Sequence, residues 1–142
     1  KNRHSLYVLG RGPALAIAAE AALKFKETCG IHAEAYSAAE VLHGPARIVE
    51  AGFPVLALAS RDAGEAGVAE IADRLARQGA TAFATTDRVV AARQLPFAPT
   101  GHPITDALSL IVSFYAFVEM LSRQRGLDPD HPPHLRKVTE TL

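Results

Sequence analysis

Three charged residues in an otherwise apolar stretch are the first features able to do chemistry. Glu20, Lys24 and Glu27 interrupt an Ala-rich run. At helical spacing Lys24 sits about 40° from Glu20, and Glu27 about 20° to the other side. The three therefore form one narrow polar stripe. Burying such groups is costly unless they pair. The plain reading is a Glu20–Lys24 pair at i, i+4, worth ~0.3–0.5 kcal/mol on a surface. The sharper reading is a carboxylate facing a ligand cleft beside a cation.

A second group is His32, Glu34, Glu40 and His43. A lone histidine is more often structural than catalytic. His43 stands out because Gly44 and Pro45 follow it, which ends a helix and presents the imidazole on a loop. No His-x-x-x-His or Glu-x-x-His ligand pair is evident, so a metal site has little support. Gly10-Arg11-Gly12 follows one strand pattern and precedes a helix, the place where open α/β sheets bind ligands. It is neither a full Gly-x-Gly-x-x-Gly nor a P-loop, and it lacks phosphate-gripping hydroxyls. A tight turn explains it equally well. Lys137, in a proline-stiffened tail, is ordinarily solvated. Folded over a cleft, its pKa would fall by desolvation and it would serve as an amine nucleophile.

These residues need elements to hold them. Leu6–Leu9 reads as a buried strand, and Pro13 suits the first turn of a helix over about Ala14–Cys29, stopped by Gly30. Ile31–Tyr36 reads as a short extended segment. Ser37-Ala38-Ala39-Glu40 matches a capping box, which predicts a short helix from Ser37 towards His43. Pro54–Ala59 is a second strong strand and Glu65–Gln78 a surface helix with Val68, Ile71, Ala72 and Leu75 on one face. Ala80–Thr85 is a third strand and Arg93–Phe97 a weak edge strand. Thr105–Arg125 reads as a long helix, apolar enough to be buried on more than one side. From Leu127 the tail carries Pro129, Pro132 and Pro133 and is expected to be extended. Strands alternating with helices predict an α/β fold: a three-layer αβα sandwich around a mostly parallel sheet of four or five strands.

The 142 residues suit a single domain. Hydrophobic residues make up 49% and Lys+Arg 15 balances Asp+Glu 15, which disfavours a disordered chain and a strongly basic nucleic-acid surface. The lone Cys29 rules out an intrachain disulfide and a cysteine-based zinc site. No uninterrupted apolar run reaches the ~20 residues that span a bilayer, and no signal-peptide pattern is present. The expectations are therefore a cytoplasmic protein with no nucleic-acid or membrane partner. The absence of an initiator Met suggests a piece of a longer chain.

Three motifs taken together resemble a known family. Glu20-Ala-Ala-Leu-Lys24-Phe-Lys-Glu27, then Ile31-His-Ala-Glu-Ala-Tyr36, then Glu40-Val-Leu-His43-Gly-Pro45 are similar to the sugar isomerase (SIS) domain family. The tail from Asp128 through Arg136-Lys137 to Val138-Thr139 fits the same pattern. The resemblance covers essentially the whole chain. It is strongest to the second SIS domain of glucosamine-6-phosphate synthases (glutamine–fructose-6-phosphate aminotransferases) and of glutamine-independent glucosamine-6-phosphate deaminases.

That resemblance implies a flavodoxin-like, doubly wound SIS domain over 1–142, with an α/β core to 126 and a tail over 127–142. It would be the C-terminal half of a two-SIS-domain protein. It implies catalytic roles for Glu27, which would shuttle a proton between C1 and C2 of an open-chain sugar phosphate, and for Lys24, which assists it. His43 would assist ring opening from a neighbouring subunit, hence a homodimer, and Lys137 would form an imine with the keto sugar. Glu20 would orient Lys24, and Glu20 and Arg136 are the expected substrate contacts. No cofactor or metal is implied. The substrates implied are glucosamine 6-phosphate or fructose 6-phosphate with ammonia. Leu42 stands where the synthases usually have lysine, and Lys137 is followed by Val-Thr-Glu-Thr where they have Ser-Val-Thr-Val-Glu. Both departures lean towards the glutamine-independent branch. The alternative is a phosphosugar-sensing SIS module without catalysis. A purely structural domain would follow if the polar stripe were a closed ion-pair network.

Overall fold

The computed structural model describes residues 5–135; His4, Arg136 and Lys137 lie outside them. Five parallel strands, β1 (Ser5–Gly10), β2 (His32–Ser37), β3 (Pro54–Ala57), β4 (Thr81–Ala84) and β5 (Arg93–Gln94), form one sheet in the order β2-β1-β3-β4-β5. That is the doubly wound order in which the chain reverses direction across the sheet between β1 and β3. Helix α1 (Pro13–Cys29) and helix α3 (Pro103–Gln124) cover one face, and α2 (Glu65–Arg77) the other.

Strand alternation sorts the core into two layers. Tyr7, Leu9, Val55 and Ala57 point to one side, where Val68, Ala72 and Leu75 of α2 meet them. Leu6, Val8 and Leu58 point to the other, against Ala14, Ala18, Ala21 and Phe25 of α1. The alanines bring α1 close to the sheet, and α3 packs on α1 through Leu110, Phe114 and Val118. The first turn demands glycine: a Cβ on Gly10 would lie 2.4 Å from the Ala14 carbonyl oxygen. Gly30, at φ 60, closes α1 by donating its N–H to the Phe25 carbonyl.

Three expectations need correction. Ser37 starts no α-helix. Its carbonyl accepts from Glu40 and Val41 N–H, its Oγ from Ala39 N–H, and a run of turns leads to a 3-10 helix at Pro45–Ile48. The Glu40 carboxylate, expected to complete the capping box, faces His43 instead, and Gly44-Pro45 leaves no room for a second helical turn. Next, α3 is not buried on several sides. It buries the face towards α1, whereas Leu108 (56% exposed) and Val112 (68% exposed) join Ile104 and Tyr115 in an exposed apolar stripe. Finally, α3 is long and apolar enough to cross a membrane by length and composition, with mean hydropathy 1.6 over its best window. Counting uninterrupted apolar runs missed this because Thr105, Asp106, Ser109 and Ser113 break the run without lowering its average far.

Candidate functional site

The polar stripe forms as its spacing requires, with its pairing rearranged. Lys24 Nζ donates to Glu27 Oε2 at 2.6 Å, whereas Glu20 Oε1 is 3.6 Å away. The i, i+3 partner is therefore the closer one, and the plain Glu20–Lys24 reading describes the weaker contact. Glu20 has a partner that sequence reasoning did not identify: Tyr115 of α3 donates its hydroxyl to Oε1 at 3.0 Å. Tyr115 lay hidden among the apolar residues of the long helix, and only the α1–α3 crossing brings it to Glu20. The bond to Glu27 raises the Lys24 pKa against a partial desolvation that lowers it, so Lys24 remains a cation. The hydrogen bond to Glu20 likewise raises the Tyr115 pKa.

Two carboxylates share one ammonium, so the stripe keeps a net negative charge. All three side chains are about a third exposed (29–32%). This is not the closed, buried network that a purely structural role would call for. Glu27 also lines a cavity of about 220 Å³ formed by Lys26, Glu27, Thr28 and Gly30 on one side and Leu127, Asp128, Pro133 and His134 on the other. The chain returns here because Arg125 Nε donates to the Cys29 carbonyl at 2.9 Å and Ser122 Oγ to the Thr28 carbonyl at 2.7 Å. Gly126, at φ 74, then turns the tail.

The second residue group does not converge. His32 and Glu34 stand on β2, an edge strand. Glu40 and His43 lie beyond its carboxyl end, with His43 Nδ1 3.4 Å from Glu40 Oε2 and both side chains largely exposed. Among the described residues no cluster of three His, Cys, Asp or Glu side chains could hold a metal ion. His43 is also far from Glu27: α1 ends at the amino edge of the sheet, and β2 climbs to the carboxyl edge before His43 is reached.

At the turns that follow β1 and β3 the chain's own side chains lie against the glycines. Arg11 packs within 3.3 Å of a Cβ built on Gly64, and Asp62 Oδ2 lies 3.4 Å from one built on Gly12. An acidic group beside this turn opposes phosphate, which favours the tight-turn reading of Gly10-Arg11-Gly12. Next to it, buried Glu65 accepts from Arg61 and from Thr86 Oγ1 at 2.7 Å, and ion-pairs with Arg88, whose Nε is 3.2 Å away. Asp106, fully buried, accepts from Arg61 N–H at 3.0 Å, Thr100 N–H at 2.7 Å and Thr100 Oγ1 at 2.8 Å. Desolvation acts to raise its pKa, but these bonds and the Arg61 charge outweigh it and hold the carboxyl below its usual range. Sequence reading missed this anchor. Its one trace was an acidic residue in the first turn after Pro103.

A larger cavity, about 740 Å³, lies between α3 and the β3–β5 side of the sheet, walled by Phe25, Leu56, Phe83, Phe97, Phe114 and Phe117 among others. Its lining suits hydrocarbon, not a phosphorylated polyol.

The SIS domain family model matches residues 1–92. A glutamine–fructose-6-phosphate aminotransferase (isomerizing) from Pyrobaculum aerophilum is 38% identical over 142 residues, covering 97% of this chain and 24% of that protein. Among solved structures, a candidate phosphosugar isomerase from Silicibacter pomeroyi DSS-3 is 63% identical with a TM-score of 0.84, over 89% of this chain and 38% of that one. The C-terminal domain of glucosamine-fructose-6-phosphate aminotransferase from Francisella tularensis is 25% identical with a TM-score of 0.81, over the same shares. The chain thus spans about a quarter of the curated relative named here (24%) and well under half of each solved one (38%).

Proposed function

This chain belongs to the SIS domain family, and from that premise we propose that it is the C-terminal SIS domain of a two-domain, cytoplasmic amino-sugar-phosphate isomerase or deaminase. The observation that carries the proposal is Glu27, a partly exposed carboxylate paired to Lys24 and lining a cavity at the end of α1. The reaction would interconvert glucosamine 6-phosphate and water with fructose 6-phosphate and ammonia. The names of its relatives, aminotransferases and phosphosugar isomerases, support that class.

In the proposed mechanism Glu27 removes the proton from C1 of the keto sugar or C2 of the aldo sugar and returns it to the other carbon. Lys24 remains charged and acts as a fixed cation. It orients the Glu27 carboxylate, while Glu20, itself bound by Tyr115, flanks Lys24 on its other side. Lys137 would form an imine with the ketone, expelling water and acidifying the adjacent C–H, and Arg136 would contact substrate. Both belong to the stretch beyond the described residues. The cavity is smaller than the ~300 Å³ at which ligand pockets usually begin, which fits a half-site that another domain must complete by gripping the phosphate. His43, distant from Glu27 in its own chain, would serve the site of a second copy. The exposed apolar stripe of α3 supports packing against further protein, whether the N-terminal SIS domain or that second copy.

The direct test is to assay the full-length protein on glucosamine 6-phosphate and fructose 6-phosphate, alone and as Glu27→Gln. Full activity in the variant would remove Glu27 from the mechanism. Borohydride trapping with fructose 6-phosphate should leave an adduct on Lys137, and its absence would remove the imine.

A further inference from the structure

The tail contributes more to the Glu27 cavity than a backbone wall. Among the described residues, His134 is the one non-glycine with a positive φ, 66°. That left-handed region costs an L-residue of order 1–2 kcal/mol. The tail is fixed in place by Asp128, whose Oδ1 accepts from Asp130 N–H at 2.9 Å and whose Oδ2 lies 2.9 Å from His131 Nδ1. Beyond this turn, Pro133 and His134 face Glu27 and Lys26 across the cavity. The His134 ring makes no hydrogen bond to any described residue, and the side chain is exposed. A left-handed backbone thus sets His134, with no hydrogen bond from its ring among the described residues, in the lining of the cavity that Glu27 shares.

We propose that His134 is a substrate-contacting residue of the Glu27 site, hydrogen-bonding a hydroxyl of the open-chain sugar phosphate. This rests on the reading of Glu27 given above. A neutral imidazole offers one donor and one acceptor, which complements a hydroxyl that both gives and takes a hydrogen bond. The carboxylates of Glu27 and Asp128 outnumber the one lysine, Lys26, in the lining of the cavity, which disfavours phosphate there, so the polyol end of the ligand is the part that faces His134.

The experiment uses the full-length protein with fructose 6-phosphate as the probe. His134→Gly removes the ring and suits the positive φ, and His134→Asn restores a donor and an acceptor in a residue tolerant of the same φ. The glycine variant should raise KM about tenfold, the loss of one good hydrogen bond, with kcat less affected and the thermal midpoint little changed. The asparagine variant should recover most of the loss. An unchanged KM in His134→Gly overturns the proposal, as does a fall in kcat and thermal midpoint with KM intact, which would mark a structural role. Calorimetric binding of fructose 6-phosphate separates the two readings. If Glu27→Gln retains full turnover the acid–base reading fails, but a tenfold weaker Kd in His134→Gly still supports the contact. If the wild-type protein binds no fructose 6-phosphate, both fall.

Discussion

Glu27 and His43 stand at opposite ends of β2, separated by the whole strand. Glu27 lies in the last turn of α1, just before the chain enters the sheet beside Ser5, and His43 lies beyond the strand's exit beside Gly10. Five residue steps of ~3.3 Å place them on the order of 17 Å apart or more. If both act on one substrate, they come from different copies. Mixing Glu27→Gln with His43→Asn full-length protein should then restore part of the activity that each lacks. Subunit exchange verified by mass, with no recovery, would count against a shared site.

Lys24 donates to Glu27 at 2.6 Å and fixes the position of its carboxylate. Lys24→Met removes that bond, so kcat of the full-length protein should fall about tenfold with KM less affected. Stability should change by less than ~1 kcal/mol, because both partners are about a third exposed and screened by water. A kcat equal to that of wild type would show that Lys24 does not position the base.

Asp106 sets a limit on acid stability. Its folded pKa lies below the ordinary carboxylate value, as does that of Asp73, which accepts from Val90, Ala91 and Ala92 N–H against its own desolvation. A depressed folded pKa gives stability that is present above the unfolded value near 4 and is lost as pH falls through the folded one. Unfolding monitored by circular dichroism should therefore begin as pH drops below about 4. Asp106→Asn should cost roughly 1–3 kcal/mol, since an amide cannot accept all three bonds and turns its own N–H donors towards Arg61 or Thr100 N–H in a buried position. A denaturation midpoint matching wild type would exclude that anchoring role.

Tyr7 governs the alkaline side. Burial, and then the neighbouring Tyr36 and Glu34, push its phenol up to about 12, and its hydroxyl donates to the Pro45 carbonyl at 3.0 Å. A raised folded pKa gives stability that is complete below the unfolded value near 10 and fades as pH climbs towards 12. Tyr7→Phe should lose about 1 kcal/mol at neutral pH and flatten the decline between pH 10 and 12. An alkaline unfolding curve as steep as wild type would show that another group is responsible.

The apolar stripe on α3 should be adhesive when this chain is produced alone. Leu108→Glu with Val112→Glu alters only exposed positions and should leave the thermal midpoint within ~0.5 kcal/mol of stability. Sedimentation velocity should show concentration-dependent association of the wild-type chain and its loss in the double variant. A wild-type chain that remains monomeric at high concentration would leave the stripe without a self-association role.

The local rules of the chain fixed most of the elements. Apolar runs bounded by glycine marked β1, β3 and β4, Pro13 and Gly30 marked the limits of α1, and a helical period of charges put Glu20, Lys24 and Glu27 on one face. Each of these signals acts within a few residues, so sequence carries it whole. The capping box at Ser37 failed because Gly44 and Pro45 cut the helix short and Glu40 turned to His43. Local pattern could not decide which face of α3 would be covered, because an apolar helix looks the same with one packed side or three. Nor could it bring Tyr115 to Glu20, Asp106 to Arg61, or the returning tail to the cavity beside Glu27. Those contacts join positions far apart in the chain, and they exist only because helix crossing and strand order place the backbones side by side.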